Sequence, residues 1–216
     1  MSVKNFEKFA NRYEKYNIIQ KKIIKKYMSS LDSRVVDLGC GSEGLCKYRD
    51  FDFYLGIDAS ENMLNLNPCN VLKLDFNKKR CFEEIKNYDF NQIVSFSALQ
   101  WARNLEFIFK EIKNLNKNFL LTIFTSKTFS SLHKELNITS PIYSKEEILS
   151  YAKILNPKVE ILKYELCFDN PKKMLNYIKF SGVKGEVKTN IKYLKKFIKE
   201  FPVKKLEFEI VVLKSF

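Results

Sequence analysis

The chain has 216 residues, 45% of them apolar and 14% aromatic, and a formal net charge of +13. That is enough apolar material to bury the core of one domain and too much for disorder over most of the length. There is no run of 18 apolar residues to cross a membrane, the start Met-Ser-Val-Lys-Asn-Phe-Glu carries no signal-peptide core, and one histidine (His133) with five cysteines lacking any C-x-x-C pair excludes a zinc site. The cysteines (Cys40, Cys46, Cys69, Cys81 and Cys167) read as scattered reduced thiols, which implies a cytoplasmic protein.

The positive charge is uneven. Residues 1–30 carry eight Lys/Arg against two Glu, and residues 171–205 carry eleven Lys against two Glu. Two basic segments suit an acidic partner. Only five of the 38 basic residues are Arg, and the wealth of Lys, Asn, Ile and Phe is also what an AT-rich genome produces.

In chain order, residues 4–28 have apolar residues at helical spacing: Phe6, Phe9/Ala10, Tyr13, Tyr16, Ile18/Ile19, Ile23/Ile24 and Tyr27. Ser29-Ser-Leu-Asp-Ser33 ends that pattern. Strands are then predicted at 34–38, 53–57, 71–74, 91–96 and 118–125, with helices between them at 43–49, 60–66, 80–87 and 103–115. This alternation argues a parallel sheet with right-handed crossovers. Beyond residue 126 come helices at 128–136 and 144–155, a strand at 159–168, helices at 171–180 and 189–200, and a last strand at 206–213. With no linker or repeat, the expectation is a single domain over 1–216, with an N-terminal helical cap (1–30) and a helical insertion before the last strand (171–205).

Three of the six glycines fall within six residues, in Arg34-Val-Val-Asp-Leu-Gly-Cys-Gly-Ser-Glu-Gly44. A buried strand turns here into a Gly-x-Gly-x-x-Gly loop, and Asp58 follows Gly39 by 19 residues at the end of the next strand. This is the pattern of a nucleoside-binding Rossmann-like site. NAD, FAD and S-adenosylmethionine sites all use such a loop. Asp37, two residues before the first glycine, separates them. A carboxylate there repels a pyrophosphate and attracts the ammonium of an amino-acid ligand. S-adenosylmethionine carries that ammonium and no phosphate.

Asp37-Leu-Gly-Cys-Gly41 resembles the first motif of class I S-adenosylmethionine-dependent methyltransferases. Leu55-Gly-Ile-Asp-Ala-Ser-Glu-Asn-Met-Leu64 resembles their second, and Val71-Leu-Lys-Leu-Asp75-Phe76 their third. The resemblance covers roughly residues 34–125. It implies a Rossmann-like α/β fold, a seven-stranded, mostly parallel sheet in the order 3-2-1-4-5-7-6 with strand 7 antiparallel and helices on both faces. It also implies S-adenosyl-L-methionine as cofactor, held by Tyr13, Asp37, Gly39, Cys40, Gly41, Asp58, Ala59, Met63, Asp75, Phe76 and Ser97. In that scheme Asp58 binds the ribose hydroxyls and Asp75 meets the adenine amino group.

Further pieces resemble the malonyl-carrier-protein O-methyltransferases of biotin synthesis. They are Phe6-x-x-x-Ala10-x-x-Tyr13-Glu14, Ser97-Ala-Leu-Gln-Trp101, Thr122-Ile-Phe-Thr-Ser, Phe129-Ser-Ser-Leu-His-Lys-Glu-Leu136 and Met174-Leu-x-x-Ile-Lys-x-x-Gly-Val-Lys-Gly185. Phe9-Ala10 stands where a pair of alanines is usual, and the region after Gly185 matches poorly. The resemblance implies methyl transfer to the free carboxylate of a malonyl thioester, on an acidic acyl carrier protein or on CoA. That carboxylate is already ionised, so no catalytic base and no metal is expected. The substrate-positioning candidates are Tyr13, Tyr16, Gln100 and Trp101; Lys22, Lys25, Lys26, Lys195, Lys196 and Lys199 would steer the carrier. Another small carboxylic acid or a quinone precursor would share every core motif. A nucleic-acid methyltransferase is a further alternative, suggested by the charge; the lack of an Asn-Pro-Pro-Tyr-like motif and of a Pro-Cys nucleophile, and the sparse Arg for base readout, speak against it, as the intact Asp37, glycines and Asp58 speak against a non-enzymatic interaction module.

Overall fold

The computed structural model describes residues 15–181 and 190–216. Of the sequence expectations, Tyr13, the motif from Phe6 to Glu14 and the segment around Gly185 lie outside the described residues. The strands are β1 (Arg34–Leu38), β2 (Phe53–Asp58), β3 (Val71–Lys73), β4 (Gln92–Phe96), β5 (Asn118–Phe124), β6 (Lys158–Cys167) and β7 (Lys205–Lys214). The helices among the described residues are α1 (Ile18–Tyr27), α2 (Glu61–Leu64), α3 (Lys79–Ile85), α4 (Leu105–Leu115), α5 (Ser130–Glu135), α6 (Lys145–Ala152), α7 (Pro171–Phe180) and α8 (Ile191–Glu200).

One sheet runs β3-β2-β1-β4-β5-β7-β6. β1 pairs in parallel with β2 and β4, while β7 runs antiparallel to both β5 and β6. The order and the single reversed strand are those the resemblance implied. Strands β1, β2, β4 and β5 are covered on both sides, which is why each reads as a continuous apolar run. Alternate residues feed two cores. Val35, Tyr54 and Val94 pack beneath α1, α7 and α8, through Ile19, Ile23, Met174, Tyr177 and Phe197. Val36, Leu55 and Ile93 pack beneath α3, α4 and α6, through Phe82, Ile108 and Ile148.

Local chemistry places the ends. Ser60 and Asn104 cap α2 and α4 by accepting from backbone N–H groups, and Ser144 with Glu147 forms a reciprocal capping box on α6. Asn116, in the left-handed region at φ 50°, closes α4.

Two expectations need correction. The helix predicted over 43–49 is only a single tight turn, Leu45–Lys47, because Gly44 precedes it at φ 60° and leaves no helical run-in. The thiols are not all reduced: Cys46 and Cys69 form a disulfide, while Cys40, Cys81 and Cys167 are free. Spacing could not reveal this, because β2 and α2 lie between the two cysteines and only their folding brings the ends together. Among the described residues no helix is long and apolar enough to cross a membrane.

Candidate active site

The strand order reverses between β1 and β4, each of which connects outward to a different side. A crevice opens beyond the carboxyl ends of these strands, where open α/β sheets place their ligands. β1 ends at Asp37 and Leu38, and the chain then makes its glycine turn. Gly39 and Cys40 donate their backbone N–H groups to Ile57 O at 2.7 and 3.0 Å, which ties the turn to the end of β2. Gly39 sits at φ 77°, and a Cβ there would collide with that of Ala98 in the loop after β4. Glycine is therefore required on two counts, backbone conformation and close approach.

Asp58, the last residue of β2, accepts from Gly41 N–H at 3.0 Å through Oδ2 and from Ser60 N–H at 2.8 Å through Oδ1. Burial raises its pKa, and these backbone bonds pull the other way. Asp37 is 3% exposed, and Tyr54 Oη–H donates to its Oδ2 at 3.1 Å. Its Oδ1 has no partner among the described residues. Burial raises the Asp37 pKa to about 7, against the Tyr54 hydrogen bond, with the Asp58 charge adding to the rise. Asp75 is braced by Asn77, whose backbone and side-chain nitrogens both donate to Oδ1 at 2.9 Å.

Of the residues expected at the cofactor, Asp37, Gly39, Cys40, Gly41, Asp58, Ala59, Met63, Asp75, Phe76 and Ser97 all line this one crevice, and so does Trp101. Met63 is buried on the inner face of α2, held there by the Ser60 cap. Among the described residues, Ser97, at φ 59°, has an unpartnered Oγ, and Trp101 has an unpartnered Nε1. Two expected lining residues are not in the crevice. Gln100 is buried at the adjoining groove, which it lines with Trp101 and Arg103, and its Nε2 donates to Ser97 O at 2.6 Å and holds that loop. Tyr16 is displaced because the helical path breaks at Asn17 (φ −85°, ψ 40°); it packs on Tyr177 and Phe180 beside a separate surface groove.

No family model matches the sequence. The chain is 25% identical over 205 residues to the malonyl-[acyl-carrier protein] O-methyltransferase of Acinetobacter baylyi, a match that spans 85% of this chain and 78% of that one. A putative methyltransferase from an antibiotic biosynthesis pathway of Anabaena variabilis superposes with a TM-score of 0.60 at 13% identity, over 90% of this chain and 96% of that one. A methyltransferase of Thermotoga maritima, described as a possible histamine N-methyltransferase, superposes with a TM-score of 0.58 at 14% identity over 100% of both chains. The fold is that of the S-adenosylmethionine-dependent methyltransferases. The cofactor it implies is S-adenosyl-L-methionine, and the crevice suits it: a partnerless carboxylate oxygen at Asp37 awaits a donor, and Asp58 stands at the end of the second strand.

Among the lining residues that were not singled out from sequence are Asn17, Gln20 and Glu43. All are polar and nearly fully buried. The available signal was that Asn17 and Gln20 interrupt an otherwise apolar helical stripe. Glu43 had no such signal, because glycine turns commonly carry exposed acids.

Proposed function

We propose that the chain is an S-adenosylmethionine-dependent methyltransferase that esterifies the free carboxylate of a malonyl group held as a thioester on an acyl carrier protein, an early step of biotin synthesis. The observation that carries this reading is the relationship to the Acinetobacter baylyi enzyme, which spans 85% of the chain rather than the nucleoside-binding motifs alone.

The distribution of polar groups supports it. The charged residues among the described crevice lining are Asp37, Glu43, Asp58 and Asp75, all carboxylates. An anionic acceptor is repelled from that side and is driven to the wall made by Ser97, Ala98 and Trp101. There the Trp101 indole N–H and the Ser97 hydroxyl lack partners and can donate to a carboxylate. Trp101 also borders a shallower groove with Arg103 and Ser140, a path by which a thioester arm can leave. Held by Asp37, the glycine turn and Asp58, S-adenosylmethionine would supply a methyl group on a positive sulfur, which would leave as a neutral thioether once the methyl is joined to a carboxylate oxygen. No proton moves, so the chain's task is positioning: oxygen within ~3–3.5 Å of the methyl carbon and in line with the sulfur, with water kept out.

The carrier would dock on lysines. Lys22 and Lys25 on α1 and Lys195 and Lys199 on α8 are exposed, and both helices cover the same face of the sheet. Lys26 and Lys196 are partly engaged, with Glu160 at 3.4 Å and Glu200 at 3.9 Å.

The test is to incubate the protein with S-adenosylmethionine labelled on the methyl group and, separately, malonyl-carrier protein, malonyl-CoA, free dicarboxylic acids and RNA. Methyl ester on the malonyl thioester is the expected product. Label only in a free acid or in RNA would reassign the acceptor.

A further inference from the structure

Asn17 precedes α1 and Gln20 lies in its first turn, three residues apart and so on one side of the helix. They are 1% and 4% exposed, and both line the crevice beside Asp37. In each amide the nitrogen is committed. Asn17 Nδ2 donates to Glu43 Oε2 at 3.1 Å, and Gln20 Nε2 donates to Ser181 O at 2.9 Å. These bonds settle which end of each amide is the oxygen. Among the described residues Asn17 Oδ1 and Gln20 Oε1 are left without partners, as is Asp37 Oδ1.

Three buried acceptors around one crevice, none with a donor, is a costly arrangement that native proteins keep for a reason. What relieves it is a compact group that offers several N–H donors at one point, which is an alkyl ammonium. A carboxylate or a phosphate would add further acceptors and worsen the deficit.

Glu43 organises this end of the crevice. Its carboxylate accepts from Asn17 at one oxygen and from Tyr48 Oη–H at the other, 2.7 Å away, and pairs with Lys21 Nζ at 3.4 Å. It thus ties the start of α1 to the glycine turn.

We propose that Asn17 and Gln20, together with Asp37, form the seat for the ammonium group of the cofactor's methionine portion, and that Glu43 is a positioning residue that holds Asn17 in place. This rests on S-adenosylmethionine as cofactor but not on any acceptor.

The experiment is a binding cycle by calorimetry. Wild type, Asn17→Leu, Gln20→Met, Glu43→Ala and Glu43→Gln are each titrated with S-adenosylhomocysteine and with the analogue lacking only its amino group. Wild type should favour S-adenosylhomocysteine by tenfold or more. Asn17→Leu and Gln20→Met should each lose about tenfold for S-adenosylhomocysteine, about 1.4 kcal/mol, and under threefold for the analogue. Binding of the analogue also shows that each variant keeps a folded crevice. Glu43→Gln, which retains an oxygen to accept from Asn17, should keep most of the discrimination that Glu43→Ala loses. Equal losses for both ligands, or none, would overturn the ammonium seat and leave the cofactor assignment standing. Failure of wild type to bind either ligand would overturn both.

Discussion

Tyr54 donates its hydroxyl hydrogen to Asp37 Oδ2 at 3.1 Å, from a strand that lies alongside, and leaves Oδ1 of the same carboxylate without a partner. One hydrogen bond does not offset the loss of water around a buried carboxylate, so the Asp37 pKa stands at about 7 against an ordinary value of 3.8. A raised acid pKa means that the folded, ligand-free protein holds a proton the unfolded chain has released, so stability falls as pH rises from about 4 to about 7. An ammonium ligand needs the ionised form. Affinity for S-adenosylhomocysteine should therefore climb about tenfold per pH unit from pH 5 towards 7 and then level off. Calorimetry in buffers of different ionisation enthalpy should show nearly one proton released per ligand bound at pH 6. Asp37→Asn should flatten the profile and remove the proton release; an unchanged slope in that variant would assign the titration elsewhere.

Gly39→Ala should abolish measurable cofactor binding and lower stability by about 2 kcal/mol or more, because it combines a left-handed backbone position with a collision on Ala98. The collision can be separated from the backbone cost. Adding Ala98→Gly should recover part of the stability of Gly39→Ala, a coupling readable by urea denaturation of the two single variants and the double. Simple additivity would mean that the loop after β4 moves away at no cost.

Asp58→Ala should weaken S-adenosylhomocysteine at least tenfold, since charged hydrogen bonds to two hydroxyls are worth ~1.5–3 kcal/mol each. The same change frees the Gly41 and Ser60 N–H groups that Asp58 now holds. Asp58→Asn should lose less, and an analogue lacking both ribose hydroxyls should bind wild type and Asp58→Ala alike. If the analogue still separates the two proteins, the carboxylate serves the turn rather than the sugar.

The Cys46–Cys69 disulfide closes a loop with a sequence separation of 23 that contains β2 and α2. Chain-entropy arguments give such a closure about 3 kcal/mol. It also fixes the ground beneath the crevice: Asn67 Oδ1 accepts from Cys69 N–H at 3.0 Å, and Asn67 Nδ2 donates to Gly41 O at 2.7 Å. Reduction, or the Cys46→Ser/Cys69→Ser pair, should lower the thermal midpoint by several degrees and weaken cofactor binding. Melting curves with and without reductant, each repeated with ligand, distinguish the two effects.

Salt should discriminate between the two forms of the proposed acceptor. Raising ionic strength from ~50 to ~500 mM should increase KM for a malonyl group on its carrier and hardly change it for malonyl-CoA, because only the protein partner spans both basic helices. Equal responses would remove the lysines of α1 and α8 from carrier docking.

Much of the architecture could be read before folding was considered. β1 at Arg34–Leu38 and α7 at Pro171–Phe180 coincide with their predicted spans, and the structure adds that Asn170 caps α7 with Pro171 in its first turn. Asp37, Gly39 and Asp58 were placed because they stand at or beside strand ends, which in a parallel sheet converge on one edge, and Asp75 by its resemblance to the third methyltransferase motif. Tyr16 was misplaced by the assumption that one helix runs on through Asn17.

The residue order by itself therefore determined where the strands end, and with that a nucleoside-type crevice lined by Asp37 and Asp58. These are consequences of periodicity and of glycine's backbone, both local properties. Only the tertiary structure decided that Asn17, Gln20 and Glu43 meet there and that Cys46 reaches Cys69. A buried amide on a helix looks in one dimension like any exposed one. Its meaning comes from which distant segment takes its nitrogen, and Ser181, 161 residues from Gln20, is fixed only when α1 and α7 pack on the same face of the sheet.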